Sequence, residues 1–236
     1  MTPTLLVPGM LCDAGLWSDV DVPGTPVAIT EPTITGMARE VLAAADGPFR
    51  LVGLSLGAIV GFEALRLAPE RVAAFCAIST NAGAPAPAQL DGWRAMAERT
   101  ERGAFGDVVR GILPTMFAAE GDVPPAHADR FLGMAHRIGP EVFRAQLAAQ
   151  ATRRDASAPL AAAACPVLAV CGSADALCPV GFHRHIAETA PAGRLRVLPG
   201  AGHLLPIERP RVLAGILHAW LDEQPTTNRR ASCPTS

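Results

Sequence analysis

Gly53-Leu54-Ser55-Leu56-Gly57 sets a serine between two glycines, at the seam of a mostly apolar run and an amphipathic helical pattern that continues to Ala68. A serine on a sharp strand-to-helix turn needs glycine two positions before it and two after, because larger residues would collide with the crossing backbones. Such a turn lifts the hydroxyl out of a sheet and aims the next residue's N–H into the same space. A nucleophile and half of an oxyanion hole are then made together. The plainer reading of these five residues is a glycine-rich packing turn with an idle serine, so the rest of the chain has to supply partners.

Around this turn the pattern alternates strand and helix. Leu5-Leu6-Val7 reads as a strand stopped by Pro8-Gly9, a short helix follows near 13–19, and Val27-Ala28-Ile29 reads as a second, short strand. Thr35 is placed to cap a helix that ends at Asp46-Gly47-Pro48. Residues 51–54 and 72–78 are the third and fourth strands. This order predicts an α/β fold, a mostly parallel sheet flanked by helices. From 82 to 164 the alternation stops and only helical stretches remain, near 88–101, 105–118, 126–138 and 141–153. It resumes with a strand at 167–170, a helix at 180–189, a strand at 195–198 and a last helix at 210–222. The expected organisation is a core of 1–81 and 165–223, a helical lid insertion at 82–164 over the strand C-terminal ends, and a flexible tail at 224–236. The bland alternative is that the inserted helices only add core.

A serine hydroxyl is a poor nucleophile until a base takes its proton. Of six histidines, His203 follows the last strand in Pro199-Gly200-Ala201-Gly202-His203, which puts it on a loop at the same edge as Ser55. His183 and His185 fall on one helix at a spacing that does not face them together. His127 and His136 belong to the helical stretch, and His218 to the last helix. Asp175 follows the strand at 167–170 and is the carboxylate placed to orient a histidine; otherwise it is a turn residue bonding its own backbone. No carboxylate follows Ile78, where Ser79-Thr80-Asn81 stands instead. The turn after the first strand offers the N–H of Met10, which converges with that of Leu56 on one developing negative charge.

Taken in order, Pro8-Gly9, Gly53-x-Ser55-x-Gly57, Gly172-x-x-Asp175 and Gly202-His203 resemble the α/β-hydrolase fold over about residues 4–222. The resemblance implies a serine hydrolase with Ser55 as nucleophile, His203 as base, Asp175 as orienter, and Met10 and Leu56 as oxyanion donors. Two departures stand out. Proline precedes Gly9 where many members carry histidine, and the family's usual first two strands are lacking, so that 27–29 becomes an edge whose shortness limits unwanted pairing. A homodimer covering that edge is the alternative.

The leading expectation is hydrolysis of a carboxylic ester with a small to medium apolar acyl group through an acyl-enzyme. A thioester, a lactone, a C–C bond or perhydrolysis would keep the same three residues, and a ligand-binding protein without turnover is a reading of another class. A serine rather than an aspartate nucleophile disfavours dehalogenase and epoxide hydrolase chemistry. Met96, Phe105, Met116, Phe117, Phe131, Met134 and Phe143 either line a cleft or fill core, with core favoured. Arg153-Arg154 reads as a solvated basic pair in preference to a receptor for a carboxylate or an acyl carrier.

Composition sets the remaining bounds. A chain of 236 residues with 50% hydrophobic content fits one α/β domain and excludes a disordered chain. A net charge of −2 gives no basic excess to recruit nucleic acid or an anionic membrane. With no tyrosine, a tyrosine acid or nucleophile is impossible. The six cysteines form no C-x-x-C pair, so zinc is not expected, and they read as reduced thiols. The N-terminus lacks the charge and apolar length of a signal peptide, and no run reaches membrane-spanning length. The expectation is a cytoplasmic enzyme with a small-molecule ester or thioester substrate and no metal or organic cofactor.

Overall fold

The structure, a computed structural model, describes residues 2–118 and 122–224. Its sheet holds β1 (Thr4–Val7), β2 (Thr25–Pro26), β3 (Phe49–Leu54), β4 (Val72–Ile78), β5 (Val167–Gly172) and β6 (Gly193–Leu198). The strand order is β2-β1-β3-β4-β5-β6, and every neighbouring pair is parallel. Parallel neighbours need crossovers, and helices supply most of them: α1 (Ile34–Ala43) before β3, α2 (Leu56–Leu67) before β4 and α7 (Val180–Thr189) before β6. The last elements among the described residues are α8 (Leu205–Glu208) and α9 (Pro210–Asp222).

Both faces of the sheet are covered, which is why its inner strands read as continuous apolar runs. Leu6, Val52, Leu54, Cys76 and Ile78 belong to one core with Leu213, Leu217 and Trp220 of α9. Their sequence neighbours Leu5, Val7, Leu51, Phe75 and Ala77 belong to a second core with Met37 and Val41 of α1 and Val60 of α2. The alternation of strand side chains thus builds two hydrophobic layers from one sheet.

Between β4 and β5 the described chain is helical, as expected. It holds α3 (Pro87–Arg99), α4 (Phe105–Ile112), α5 (Pro125–Ala151) and α6 (Ser157–Ala161). Two expected helices, 126–138 and 141–153, abut as α5, and Gly139 at φ 74, ψ 169 breaks the helical path where they meet. The expected helix at 105–118 stops at Ile112 and tightens to a 3-10 turn at Leu113–Met116, which carries Pro114. This segment is tied to the core by Leu204 N–H donating to Met116 O at 3.0 Å.

Three local readings shift. The edge strand is Thr25–Pro26, not 27–29. Val27 and Ile29 are buried while Ala28 is exposed, so their alternation reflects packing of an extended segment beside the sheet. Pro26 has no N–H to offer, as suits an edge. The cap of α1 is Thr33, whose Oγ1 accepts from Gly36 N–H, while Thr35 Oγ1 donates to Glu63. The short helix expected near 13–19 is a 3-10 turn, Ala14–Trp17, capped by Asp13. The tail expected at 224–236 lies outside the described residues apart from Gln224. No helix among the described residues is long and apolar enough to cross a membrane.

The crossing of α2 over the sheet is the tightest point of the fold. A Cβ on Gly53 would stand 2.6 Å from the carbonyl carbon of Gly57, and one on Gly57 would run into the Val7 carbonyl oxygen. The clashing atoms are backbone, so they yield only if the strand or helix moves. Gly57→Ala is therefore expected to lower unfolding free energy by about 3 kcal/mol or more. Gly92→Ala, in exposed α3 with nothing within 4 Å of its new Cβ, should raise it by roughly 0.5–1 kcal/mol. Urea unfolding of both variants checks the contrast, and equal effects would refute the crossing argument.

Candidate active site

β3 ends at Leu54 and α2 begins at Leu56, so Ser55 makes the turn between them alone, at φ 52, ψ −111. A non-glycine residue in that region stores of order 1–3 kcal/mol, and the surroundings hold it there. Ser55 N–H donates to Ile78 O at 2.8 Å, and the Ser55 carbonyl accepts from Ala58 and Ile59 N–H, each at 3.0 Å. Thr80 Oγ1 donates to the same carbonyl at 3.1 Å. The two other positive-φ non-glycine residues, Leu11 and Ser79, follow β1 and β4, so all the recorded left-handed strain in side-chain-bearing residues sits at one edge of the sheet.

Asp175 lies in the loop after β5 and uses its two carboxylate oxygens for different tasks. Oδ1 accepts from the N–H groups of Leu177 and Cys178, each at 2.9 Å. Oδ2 faces His203 Nδ1 at 2.9 Å, in a pair whose side chains are almost wholly buried. Asp175 thus bonds its own loop with one oxygen and His203 with the other. Burial by itself lowers the imidazole's proton affinity, but Asp175 and the neighbouring Cys178 outweigh it and hold His203 above the ordinary imidazole range. Gly202, just before His203, donates its N–H to the Glu208 carboxylate of α8 at 3.0 Å, which fixes the histidine loop.

Two bracing residues, His183 and Gln146, went unrecognised in the sequence. His183 is fully buried. Its Nε2 accepts from Thr80 N–H at 2.8 Å and its Nδ1 faces Pro179 O at 3.4 Å, which fits a neutral ring protonated on Nδ1. It thereby links the loop after β4, which holds Ser55, to the loop that carries Asp175. Burial pushes its pKa down to about 4. Gln146 of α5, 1% exposed, accepts from Leu11 N–H at 3.0 Å and so holds the turn that carries Met10. Only side-chain type was visible in the sequence; their partners are 103 and 135 residues away.

Ser55, Met10, Cys178 and His203 line one cavity of about 290 Å³. Leu56 is buried at the start of α2. Met96, Ile112 and Met116 give the cavity an apolar wall. Of the seven methionines and phenylalanines considered for a cleft, only Met96 and Met116 line this cavity, and Phe105 and Phe143 pair with one another instead. Arg153 also lines the cavity and is buried, whereas Arg154 is exposed, so the expected solvated pair is split. Other histidines lie elsewhere: His185 and His136 are exposed, His127 stacks on Phe117, and His218 bonds the Asp21 carbonyl.

Asp175, Cys178 and His203 offer ligand atoms within 4.8 Å of one another, the one such cluster among the described residues. Two of the three are already bonded to each other, so a cation would have to displace the Asp175–His203 hydrogen bond. The five described cysteines are free and buried. Burial raises the thiols of Cys12 and Cys171 to about 12, which makes them inert packing groups.

A family model described as "Alpha/beta hydrolase family" matches residues 8–216. Among solved structures, a thermophilic esterase from Thermogutta terrifontis with malate bound is 25% identical, with a TM-score of 0.83 over 94% of this chain and 90% of that one. The enol-lactonase from Burkholderia xenovorans LB400 is 18% identical, with a TM-score of 0.82 over 94% and 92% of the two chains. A hydrolase from Pseudomonas aeruginosa PA01 is 22% identical, with a TM-score of 0.78 over 93% and 90%. No curated protein matches the sequence.

The depressed His183 pKa has a consequence for stability. Below the unfolded value of about 6.5 the unfolded chain takes up a proton that the folded chain refuses, so stability falls as pH drops from about 6.5 toward 4, by up to roughly 3 kcal/mol. His203 acts with the opposite sign: its stabilisation is complete below about 6.5 and is lost as pH rises through its raised folded value. His183→Gln removes the first dependence and keeps an acceptor for Thr80. Chemical denaturation of wild type and variant at pH 6.5, 5.5 and 4.5 should show a flatter decline in the variant, and parallel curves would refute the assignment.

Proposed function

The chain belongs to the alpha/beta hydrolase family, and from that premise we propose that it is a serine hydrolase that cleaves a carboxylic ester through an acyl-enzyme. The observation that carries this reading is the buried 2.9 Å pairing of His203 Nδ1 with Asp175 Oδ2, on a cavity that also receives the strained Ser55 turn. In the proposed reaction Ser55 Oγ attacks the ester carbonyl while His203 Nε2 takes its proton. Asp175 holds the ring with Nδ1–H toward itself, so that Nε2 is the basic nitrogen, and stabilises the imidazolium as it forms. The oxyanion is held by the N–H groups of Met10 and Leu56, for which no acceptor is recorded within the described protein. Each such donor contributes about 3 kcal/mol to transition-state stabilisation. His203 then gives its proton to the departing alcohol. Water, deprotonated by His203, attacks the acyl carbon and releases the acid and free Ser55.

In this reading the segment 82–164 is the lid. Its α3 and α4 supply much of the apolar wall, through Met96 and Ile112. A cavity of about 290 Å³ is at the small end for ligand sites, which favours a small to medium substrate.

Two measurements test the proposal. A fluorophosphonate probe should label the wild type at neutral pH and leave Ser55→Ala unlabelled, with ester turnover reduced about 10⁶-fold in the variant. Labelling that survives the substitution would end the assignment. Because His203 must be neutral to act as base and its pKa is raised, kcat/KM should climb with pH through a midpoint above the ordinary imidazole value of about 6.5. Asp175→Asn removes the charge that favours the imidazolium. It should move that midpoint down while lowering kcat roughly 10⁴-fold, and an unmoved midpoint counts against His203 as the titrating base.

A further inference from the structure

Arg153 is an unusual residue to find in the wall of this cavity. It leaves the C-terminal end of α5 and is only 7% exposed, yet no described carboxylate lies within ion-pair distance of it. Its hydrogen-bond partners are neutral amide oxygens at long range: Gln150 Oε1 at 3.5 Å, Asn81 Oδ1 at 3.3 Å and Gln89 Oε1 at 3.3 Å. Its Nε is buried with no partner at all. The guanidinium lies over the Trp93 ring, 5.5 Å from its centroid, which fixes the plane of the fork. Arg153 also borders a small pocket that includes Glu63 and Asp155. Those acids are engaged elsewhere, Glu63 by Arg66 and Thr35 and Asp155 by Ser157 N–H.

A buried cation is normally retained only with an opposite charge and satisfied donors. Here neither condition is met by the described protein, and Arg153 lines the cavity that holds Ser55. Among the described residues no aspartate or glutamate lines that cavity, and Arg153 is its one permanent cation. Burial already lowers the guanidinium's proton affinity, the direction expected of a charge lacking its counter-ion.

We infer that the Arg153 guanidinium is a receptor for a carboxylate carried by the substrate, so that the ester cleaved at Ser55 belongs to a molecule with a second, ionised carboxyl group. This deepens the hydrolase reading and rests on it. A planar carboxylate matches the fork of donors and one positive charge. A phosphate dianion would call for more positive charge than the cavity has. Trp93 and Met96 of α3 line the same cavity as Arg153 and Ser55, so the substrate is an apolar link with its ester at one end and its anion at the other.

The test compares matched esters by pH-stat: monoethyl glutarate with ethyl valerate, for an anion on the acyl side, and 4-acetoxybenzoate with phenyl acetate, for one on the alcohol side. Wild type should favour the charged member of at least one pair by 10-fold or more in kcat/KM. Arg153→Met should reduce that charged-to-neutral ratio roughly 10- to 100-fold, the usual range for a lost charge-assisted hydrogen bond. Arg153→Lys should restore part of it. Absence of a charged preference in both pairs overturns the inference without any variant, and so does a ratio unchanged in a folded Arg153→Met. A second arm is independent of turnover: calorimetric binding of monoethyl glutarate to Ser55→Ala, expected to weaken at least 10-fold when Arg153→Met is added. Arg153-dependent binding without labelling or turnover would retain the receptor and sink the hydrolase. Labelling and neutral-ester turnover without charged preference would do the reverse.

Discussion

The contact of α2 with the backbones of β1 and β3 is the constraint from which the rest of the site follows. Glycine at 53 and 57 lets that helix descend until only hydrogens separate the chains. The descent leaves no room for a gradual turn, so Ser55 alone reverses the path at positive φ. The strain is local, but its restraint is distributed. Ile78 O takes the Ser55 N–H, and Thr80, held by His183, reaches the Ser55 carbonyl. A serine position defined by backbone packing is more rigid than one set by a side-chain rotamer, which is what the proposed reaction at Ser55 requires.

The same economy of atoms recurs around it. Asp175 closes its own loop with one oxygen and meets His203 with the other. Glu208 gathers the N–H groups of Gly202 and Ala118, so one carboxylate joins the histidine loop to the helical segment. Gln146 does likewise for α5 and the turn after β1. Asp175 and Gln146 are buried, so losing either would leave a backbone donor without water or partner, at a cost of about 1–3 kcal/mol, while Glu208 is half-buried. The loops at this edge are therefore held to one another as well as to the sheet. Arg153 is the exception, a buried donor group left partly unanswered by the protein, and that contrast gives it its significance.

Much of this was legible in the chain. The alternation of apolar runs with amphipathic ones placed the parallel sheet and the helical break in it, because a doubly covered sheet imposes that pattern on any sequence that forms it. The positions of Ser55, Asp175 and His203, each just past a strand, followed from the rule that such loops share an edge. Local chemistry was less readable. Thr33 and Thr35 are equal candidates for a cap by type, and only the position of Glu63 across the α1–α2 contact separates them. Thr25-Pro26 is a strand only because β1 lies beside it.

The sequence by itself determined the strand order's raw material and the serine turn, since glycine spacing and hydrophobic period act over a few residues. What the tertiary structure alone decided is how distant groups see one another. Arg153 and Arg154 are adjacent and chemically identical, yet one is enclosed beside Trp93 and the other faces water. His183 and His185 share a helix, yet one is a neutral brace and the other is exposed. Burial and partnership depend on which surfaces pack together across the fold, and no local pattern encodes that.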